Sequence, residues 1–327
     1  MTLEFEFERP ITELEKRLKD LQSLSEEGSI DLSREISAIA EKIEAMKAEI
    51  FKNLEPWQIT QIARHIQRTS TLDYIKLIFG EDNFLEFHGD RLFSDDKALI
   101  GGFATFEGRT IAIIGHQKGH DTEENIYRNF GMPHPEGYRK SQRILRLAEK
   151  FKRPVVVFID TPGAFPGIGA EERGQSEAIA KSIMMMSRIK VPVICFVTGE
   201  GGSGGALAVG VGDRVYMLEY SVYSVITAEG CAAILWKDAA KSKIAASSLK
   251  IRAQDLLQLK IIDGIIPEPL GGVHRNPESV AKLIADILRR ELPSLLSLPP
   301  GELVERRYRK YRKMGAFKIE QDLEENA

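Results

Sequence analysis

The stretch CFVTGEGGSGGALAVG, Cys195–Gly210, holds six glycines in sixteen residues directly behind an apolar run that reads as a buried strand. Glycines at the start of a short helix let a ligand oxygen approach the unpaired backbone N–H groups of the first turn, where the helix dipole adds positive potential. A cluster of amides of this kind is suited to holding an oxyanion. A second loop of similar texture, DTPGAFPGIGAEERG from Asp160, contains two prolines that remove donors and stiffen the rest. Tight helix-to-sheet packing is the plainer use for the same glycines.

Two phosphate-binding readings fail on spacing. GEGGSG at Gly199–Gly204 fits G-x-G-x-x-G after a strand, with Glu219 further on. Only about ten residues then precede the strand-like RVYMLEY, too few for the crossover helix of a dinucleotide fold. No GK[ST] follows the glycines, which excludes a Walker-type loop. Side chains capable of acid, base or metal chemistry are sparse. Ser203 has no base near it in sequence. His116 and His120 are four apart but bracket Gly119, a poor setting for a helix-mounted metal pair. Cys195 and Cys231 sit in apolar surroundings and read as core, so no metal site is expected. Many amides with little acid or base suit a reaction whose substrate brings its own base.

The elements that must position these loops follow from periodicity. ALIGGFATF (98–106) and TIAIIGHQKG (110–119) read as strands paired around an EGR turn. YRKSQRILRLAEKF (138–151) reads as a helix and RPVVVFIDTPG (153–163) as a buried strand. The pattern repeats: helix over EERGQSEAIAKSIMMMSRI (171–189), strand over KVPVICFVTG (190–199), short helix over GGALAVGV (204–211), then one extended stretch, DRVYMLEYSVYSVI (213–226). Two successive parallel crossover units of one hand bring both glycine loops to the same edge of the sheet.

Upstream, Leu32, Ile36, Ile39, Ile43, Met46 and Ile50 form a helical seam with Asp31 as its N-cap, and Ile11, Leu14, Leu18 and Leu21 make a shorter one, so 10–53 reads as a helical hairpin. AMK at Ala45–Lys47 resembles a biotin-acceptor tripeptide but falls mid-helix. From Leu295 periodicity fades and the tail either caps the body or hangs loose; its basic cluster RRYRKYRK (306–313) is of the kind that is usually solvated. The expected division is a helical arm over 1–70, a core over 71–295 and a tail over 296–327.

Composition narrows the class. At 43% hydrophobic, 28% charged and a net charge of -3, the chain is that of an ordinary globular protein with no global attraction for nucleic acid. Apolar runs such as VVVFI are too short to span a bilayer, and the acidic start lacks a signal peptide's features, so a cytoplasmic, membrane-free location is expected.

RNFGMPHPEGYRKSQRILRLAEKF, VVVFIDTPGAFPGIGAEERGQ, GEGGSGGALAVGVGDRVYMLEYSVYSVITAEGCAAILWKD and IIPEPLGGVHR, in that order, closely resemble the alpha-subunit family of the acetyl-CoA carboxylase carboxyltransferase of bacteria and plastids. The match covers nearly the whole chain and departs at 296–327. It implies an α/β, crotonase-like (ClpP/crotonase) spiral of ββα units behind the N-terminal hairpin. It also implies transfer of a carboxyl group from carboxybiotin to acetyl-CoA, giving malonyl-CoA, the first committed step of fatty acid biosynthesis.

The implied partners are a zinc-ribbon beta subunit in a two-alpha, two-beta heterotetramer, the biotin carboxyl carrier protein that brings carboxybiotin, and biotin carboxylase in the wider complex. Zinc and ATP sites lie on other chains. In this family paired oxyanion holes face each other across the interface, with alpha mainly handling carboxybiotin and beta mainly acetyl-CoA. Carried over by motif, the alpha-side hole falls on the amides of Gly204, Gly205 and Ala206, with Gly163 and Phe165 on the facing loop. Gly201, Gly202, Ser203, Pro162, Ala164 and Gly167 line the carboxybiotin site. Arg139, Lys140, Arg143 and Arg146 either meet CoA phosphates or form a solvated face. Gly205→Val is expected to spare folding and abolish transfer. The alternatives are a stand-alone crotonase-type acyl-CoA hydratase or hydrolase, for which Glu229 is the candidate acid/base, and a non-catalytic assembly subunit.

Overall fold

The computed structural model describes residues 5–26 and 32–315. Its helices are α1 Arg9–Glu26, α2 Ser33–Lys52, α3 Pro56–Ala63, α4 Thr71–Phe79, α5 Thr122–Tyr127, α6 Pro135–Lys150, α7 Ile168–Glu172, α8 Gln175–Arg188, α9 Ser203–Gly210, α10 Ala228–Trp236, α11 Ser242–Leu249, α12 Ala253–Gln258, α13 Pro277–Leu296 and α14 Pro300–Arg312. Its strands are β1 Phe84–Glu86, β2 Leu99–Phe106, β3 Arg109–His116, β4 Val155–Thr161, β5 Val193–Gly202, β6 Arg214–Leu218, β7 Val222–Ser224 and β8 Gly264–Ile266.

The strands form one sheet in the order β1-β2-β3-β4-β5-β6-β8, with β7 also on β5. The first three are antiparallel and the rest parallel. Glu107 and Gly108 both take positive φ, 49° and 78°, which turns β2 into β3 with the twist a two-residue hairpin needs. Strands β4 and β5 are buried at every residue, as parallel strands covered on both faces must be. Val155, Val157, Ile159 and Cys195 pack with α6, α8 and α9. The alternate residues Val156, Phe158, Ile194 and Phe196 pack with α4 and α13. The expected buried cysteines are both buried.

Helices α1 and α2 pack together, with Ile11 and Ile43 buried and Lys47 paired to Glu15 across them at 2.9 Å. Lys47 is thus a helix residue in an ion pair, not an acceptor on a turn. The expected cap Asp31 lies outside the described residues, and α2 has no side-chain cap bond.

Four expectations need correction. The single helix over 171–189 is broken by Gly174, whose φ of 82° ends α7 and starts α8. The single extended stretch over 213–226 is two strands, both paired to β5: β6 along its first half and β7 along Glu200–Gly202. Strand β5 runs through the glycines to Gly202, so part of the expected loop is sheet. The tail, expected to lack periodicity, forms α14 and caps the body: within its basic cluster Arg306, Arg309, Arg312 and Lys313 are exposed, but Arg307 is 1% exposed. It donates to both carboxylate oxygens of Asp213 and to the carbonyls of Met186, Ile189 and Val191 at 2.7–3.0 Å.

Candidate active site

Between β4 and β5 the register runs Ile159↔Val197 and then Thr161↔Gly201, so β5 carries two extra residues at that point. The Asp160 carboxylate fills the bulge. Its Oδ1 accepts the Glu200 N–H at 2.9 Å, and a Cβ on Gly199 would stand 2.4 Å from the same oxygen. Beyond the bulge the two glycine loops touch through bare backbone. A Cβ on Gly202 would lie 2.1 Å from the Pro162 oxygen, and one on Gly205 would lie 2.5 Å from the Ala164 nitrogen. These contacts correct the expectation for Gly205→Val, which must displace the Asp160 loop and cannot leave folding untouched.

Ser203 stands between them at φ 54°, exposed, and turns the strand sharply into α9. Gly201, Ser203 and Gly205 thereby give the G-x-S-x-G spacing of a nucleophile elbow, a feature that the sequence reading passed over. Among the described residues no hydrogen bond joins Ser203 to a histidine, so its hydroxyl has no base.

Gly202 is the N-cap of α9. The N–H groups of Ser203, Gly204 and Gly205 therefore fall outside the helical ladder, whereas that of Ala206 is the first one within it. Gly204 is half-buried, and Gly205 and Ala206 are buried. On the facing loop the Gly163 N–H goes to Thr161 Oγ1 at 3.1 Å and the Phe165 N–H to the Pro133 carbonyl at 3.0 Å, so neither is spare. Phe165 instead packs on His134, ring centroids 4.4 Å apart, and its ring occupies the space a Cβ on Gly167 would take.

A cleft of about 230 Å³ opens beside Pro162, lined by Arg64, Lys118, Asp160 and Glu200 among others. Lys118 Nζ lies 2.7 Å from Asp160 Oδ1 and 2.8 Å from Glu200 Oε2. Arg64 reaches Glu200 Oε1 at 2.6 Å and Glu229 Oε1 at 2.5 Å. Burial alone would raise Glu200, but Lys118 and then Arg64 hold it below the usual carboxylate range. Burial opposes the charge on Lys118, which Asp160 and Glu200 nevertheless raise above its ordinary value. Glu229, despite its burial, is likewise lowered by the Arg64 hydrogen bond. An ionised, Arg-bound Glu229 lacks the raised pKa and the free oxygen that a hydratase acid would need.

The remaining candidates separate. His116 is fully buried and pushed down to about 3, first by burial and then by Lys118, while His120 pairs with Asp73 at 2.8 Å, so the two do not converge. Among the described residues no group of three or more His, Cys, Asp or Glu could hold a metal. Lys140 is fully buried on Asp95, and Arg139 is bound to Asp90 and Glu136, which removes both from any phosphate role. Arg146 is exposed and Arg143 partly so. Asp160 and Glu200 lie within the two glycine-loop motifs, where no local signal marks either as functional. Nothing in the sequence linked them to Arg64 or Lys118, which come from other elements.

A family profile described as acetyl co-enzyme A carboxylase carboxyltransferase-like matches residues 4–315. The chain belongs to this family. The match runs through α14, so the resemblance does not depart at 296 as expected. The acetyl-coenzyme A carboxylase carboxyl transferase subunit alpha of Halalkalibacterium halodurans is 55% identical over 317 residues, 97% of each chain. The protein of the same name from Geobacter metallireducens is 53% identical over 96% of this chain and 98% of its own. Among solved structures, a Pseudomonas malonate decarboxylase hetero-tetramer in complex with coenzyme A matches with a TM-score of 0.57 at 17% identity, over 74% of this chain and 95% of that one. Transcarboxylase 12S matches with a TM-score of 0.53 at 20% identity, over 69% and 44%. At such identities the likeness concerns the fold, which is the expected crotonase-like α/β spiral. Among the described residues no helix is long and apolar enough to cross a membrane.

Proposed function

We propose that the chain is the alpha half of an acetyl-CoA carboxylase carboxyltransferase, moving a carboxyl group from carboxybiotin on its carrier protein to acetyl-CoA to give malonyl-CoA. The observation that carries this reading is the glycine-only contact between the Asp160 loop and the first turn of α9, which leaves the Ser203, Gly204 and Gly205 amides outside the helical ladder. At Gly204 a Cβ would meet nothing nearer than Ile179 at 3.5 Å, so beside the exposed Ser203 there is room for a ureido or carboxyl oxygen to approach the first-turn amides. Carboxybiotin supplies the transferable carboxyl group and, after its release, the base. This chain's part is electrostatic: the first-turn amides and the α9 dipole stabilise the oxyanion, and the Pro162–Phe165 loop walls it in. Removing one such donor costs about 3–4 kcal/mol of transition-state stabilisation.

The acetyl-CoA half of the site belongs to the beta subunit, in a two-alpha, two-beta assembly that biotin carboxylase and the carrier protein serve in the cytoplasm. Biotin-dependent decarboxylation of malonyl-CoA tests the reading, first with this chain alone and then with the beta subunit. Turnover only with the partner is expected. Turnover by the chain alone, or none with the partner, overturns it.

A further inference from the structure

The Asp160 carboxylate sits at the one place where both glycine loops can be fixed at once. It is the penultimate residue of β4, two before Pro162, and its Oδ1 holds the N–H of Glu200, three residues before Ser203. The same oxygen takes the Lys118 ammonium, delivered from the end of β3, and Lys118 in turn holds the Glu200 side chain. Asp160 is 5% exposed, and the missing Cβ of Gly199 leaves the room its carboxylate occupies at the wall of the cleft beside Pro162. Past this point the loops meet only through backbone, at Gly202 on Pro162 and at Gly205 on Gly163 and Ala164. Among the described residues no side-chain hydrogen bond joins the two loops at those contacts. The separation of the loops is therefore set at their root, by the Asp160 staple together with the Thr161–Gly201 strand pair that follows it.

From this we infer that Asp160, kept in place by Lys118, is a positioning residue for carboxyl transfer: it fixes the α9 first-turn amides against the Pro162–Phe165 loop without itself touching substrate. The inference rests on the oxyanion reading of those amides. A shift of about 1 Å in such a site costs on the order of 100-fold in rate, and the cost falls on kcat because substrate binding elsewhere is untouched.

Asp160→Asn and Asp160→Ala are to be compared with wild type in the alpha–beta complex, for kcat, KM, the pH profile and Tm. Asparagine keeps an acceptor for the Glu200 N–H and loses only the charge, so kcat is expected to fall about 10-fold, with KM within about twofold and an unshifted pH profile. Alanine removes the staple and should lower kcat about 100-fold or more. If alanine fails to assemble, asparagine decides: a lower kcat at unchanged Tm supports positioning, and a wild-type kcat overturns it. Equal loss in both variants with a displaced pH profile also overturns it, because Asp160 would then be acting as an acid or base. Failure of the wild-type complex to turn over overturns the oxyanion reading along with the inference, whereas active wild type with unaffected variants overturns the inference alone.

Discussion

Adding one methyl group at either of two neighbouring glycines, Gly204 or Gly205, is expected to give opposite results. A Cβ on Gly205 would stand 2.5 Å from the Ala164 nitrogen, 2.6 Å from the Gly163 carbonyl carbon and 3.0 Å from its Cα, all of them backbone atoms. Ordinary contact begins near 3.4 Å. The helix and the loop must therefore part by about 0.9 Å, a displacement of the order that costs 100-fold in rate. The same overpacking costs about 1–3 kcal/mol of stability. On Gly204 the nearest atom to a new Cβ is Ile179 Cγ2, at 3.5 Å, and φ is ordinary. Gly204→Ala keeps its N–H and lowers the entropy of the unfolded chain, so it should gain about 0.5–1 kcal/mol. Urea unfolding of the chain and malonyl-CoA decarboxylation by the alpha–beta complex separate the two. We expect Gly204→Ala to retain its rate within a few-fold, as expected when no donor is lost, and Gly205→Ala to lose most of it. A Gly205→Ala protein with wild-type rate and stability would refute the contact argument, as would a Gly204→Ala protein as impaired as its neighbour.

Breaking the buried pair by Arg307→Ala leaves Asp213 uncompensated and should cost about 3–5 kcal/mol in urea unfolding; a loss under about 1 kcal/mol would contradict its burial. Glu229→Gln should keep transfer within a few-fold, since a true general base would cost about 100-fold or more. His120 is raised by its hydrogen bond to Asp73, so its contribution is complete below its ordinary value near 6.5 and disappears as pH rises through the folded value. Asp73 is lowered, its bonds from His120 and Ser70 outweighing burial, so its contribution is present above about 3.9 and is lost as pH falls through its folded value. The Tm deficit of His120→Gln should therefore be largest between those limits and shrink towards pH 8; a deficit that grows with pH would contradict the pairing.

The parallel strands and their hairpin were legible because alternation, continuous apolar runs and an EGR turn are local signals. The break at Gly174 was hidden because α7 and α8 share one apolar texture, and only a left-handed φ divides them. The extent of β5 was missed for the opposite reason: glycine reads as loop, yet here it lets Asp160, Tyr223 and Pro162 press on the strand. That the two glycine loops meet at one edge of the sheet was legible from spacing, whereas the choice of amides rested on the family resemblance. The charged surround of the site was not legible, since Arg64, Lys118, Asp160, Glu200 and Glu229 come from five separate parts of the chain. Arg307 was misjudged because a basic run gives no sign that one member turns inward to a carboxylate 94 residues earlier.

That separation also bears on how the chain is made. Strand β6 and Asp213 leave the ribosome well before α14 exists, and until then a carboxylate destined for the interior has the Val193 N–H but no cation. The buried pair is complete only once α14 has been made. A product cut short before Arg307 keeps every strand of the sheet and both glycine loops, yet holds a buried charge with no counter-ion. Such a fragment is expected to open, and to be cut by proteases, more readily than a chain that carries α14.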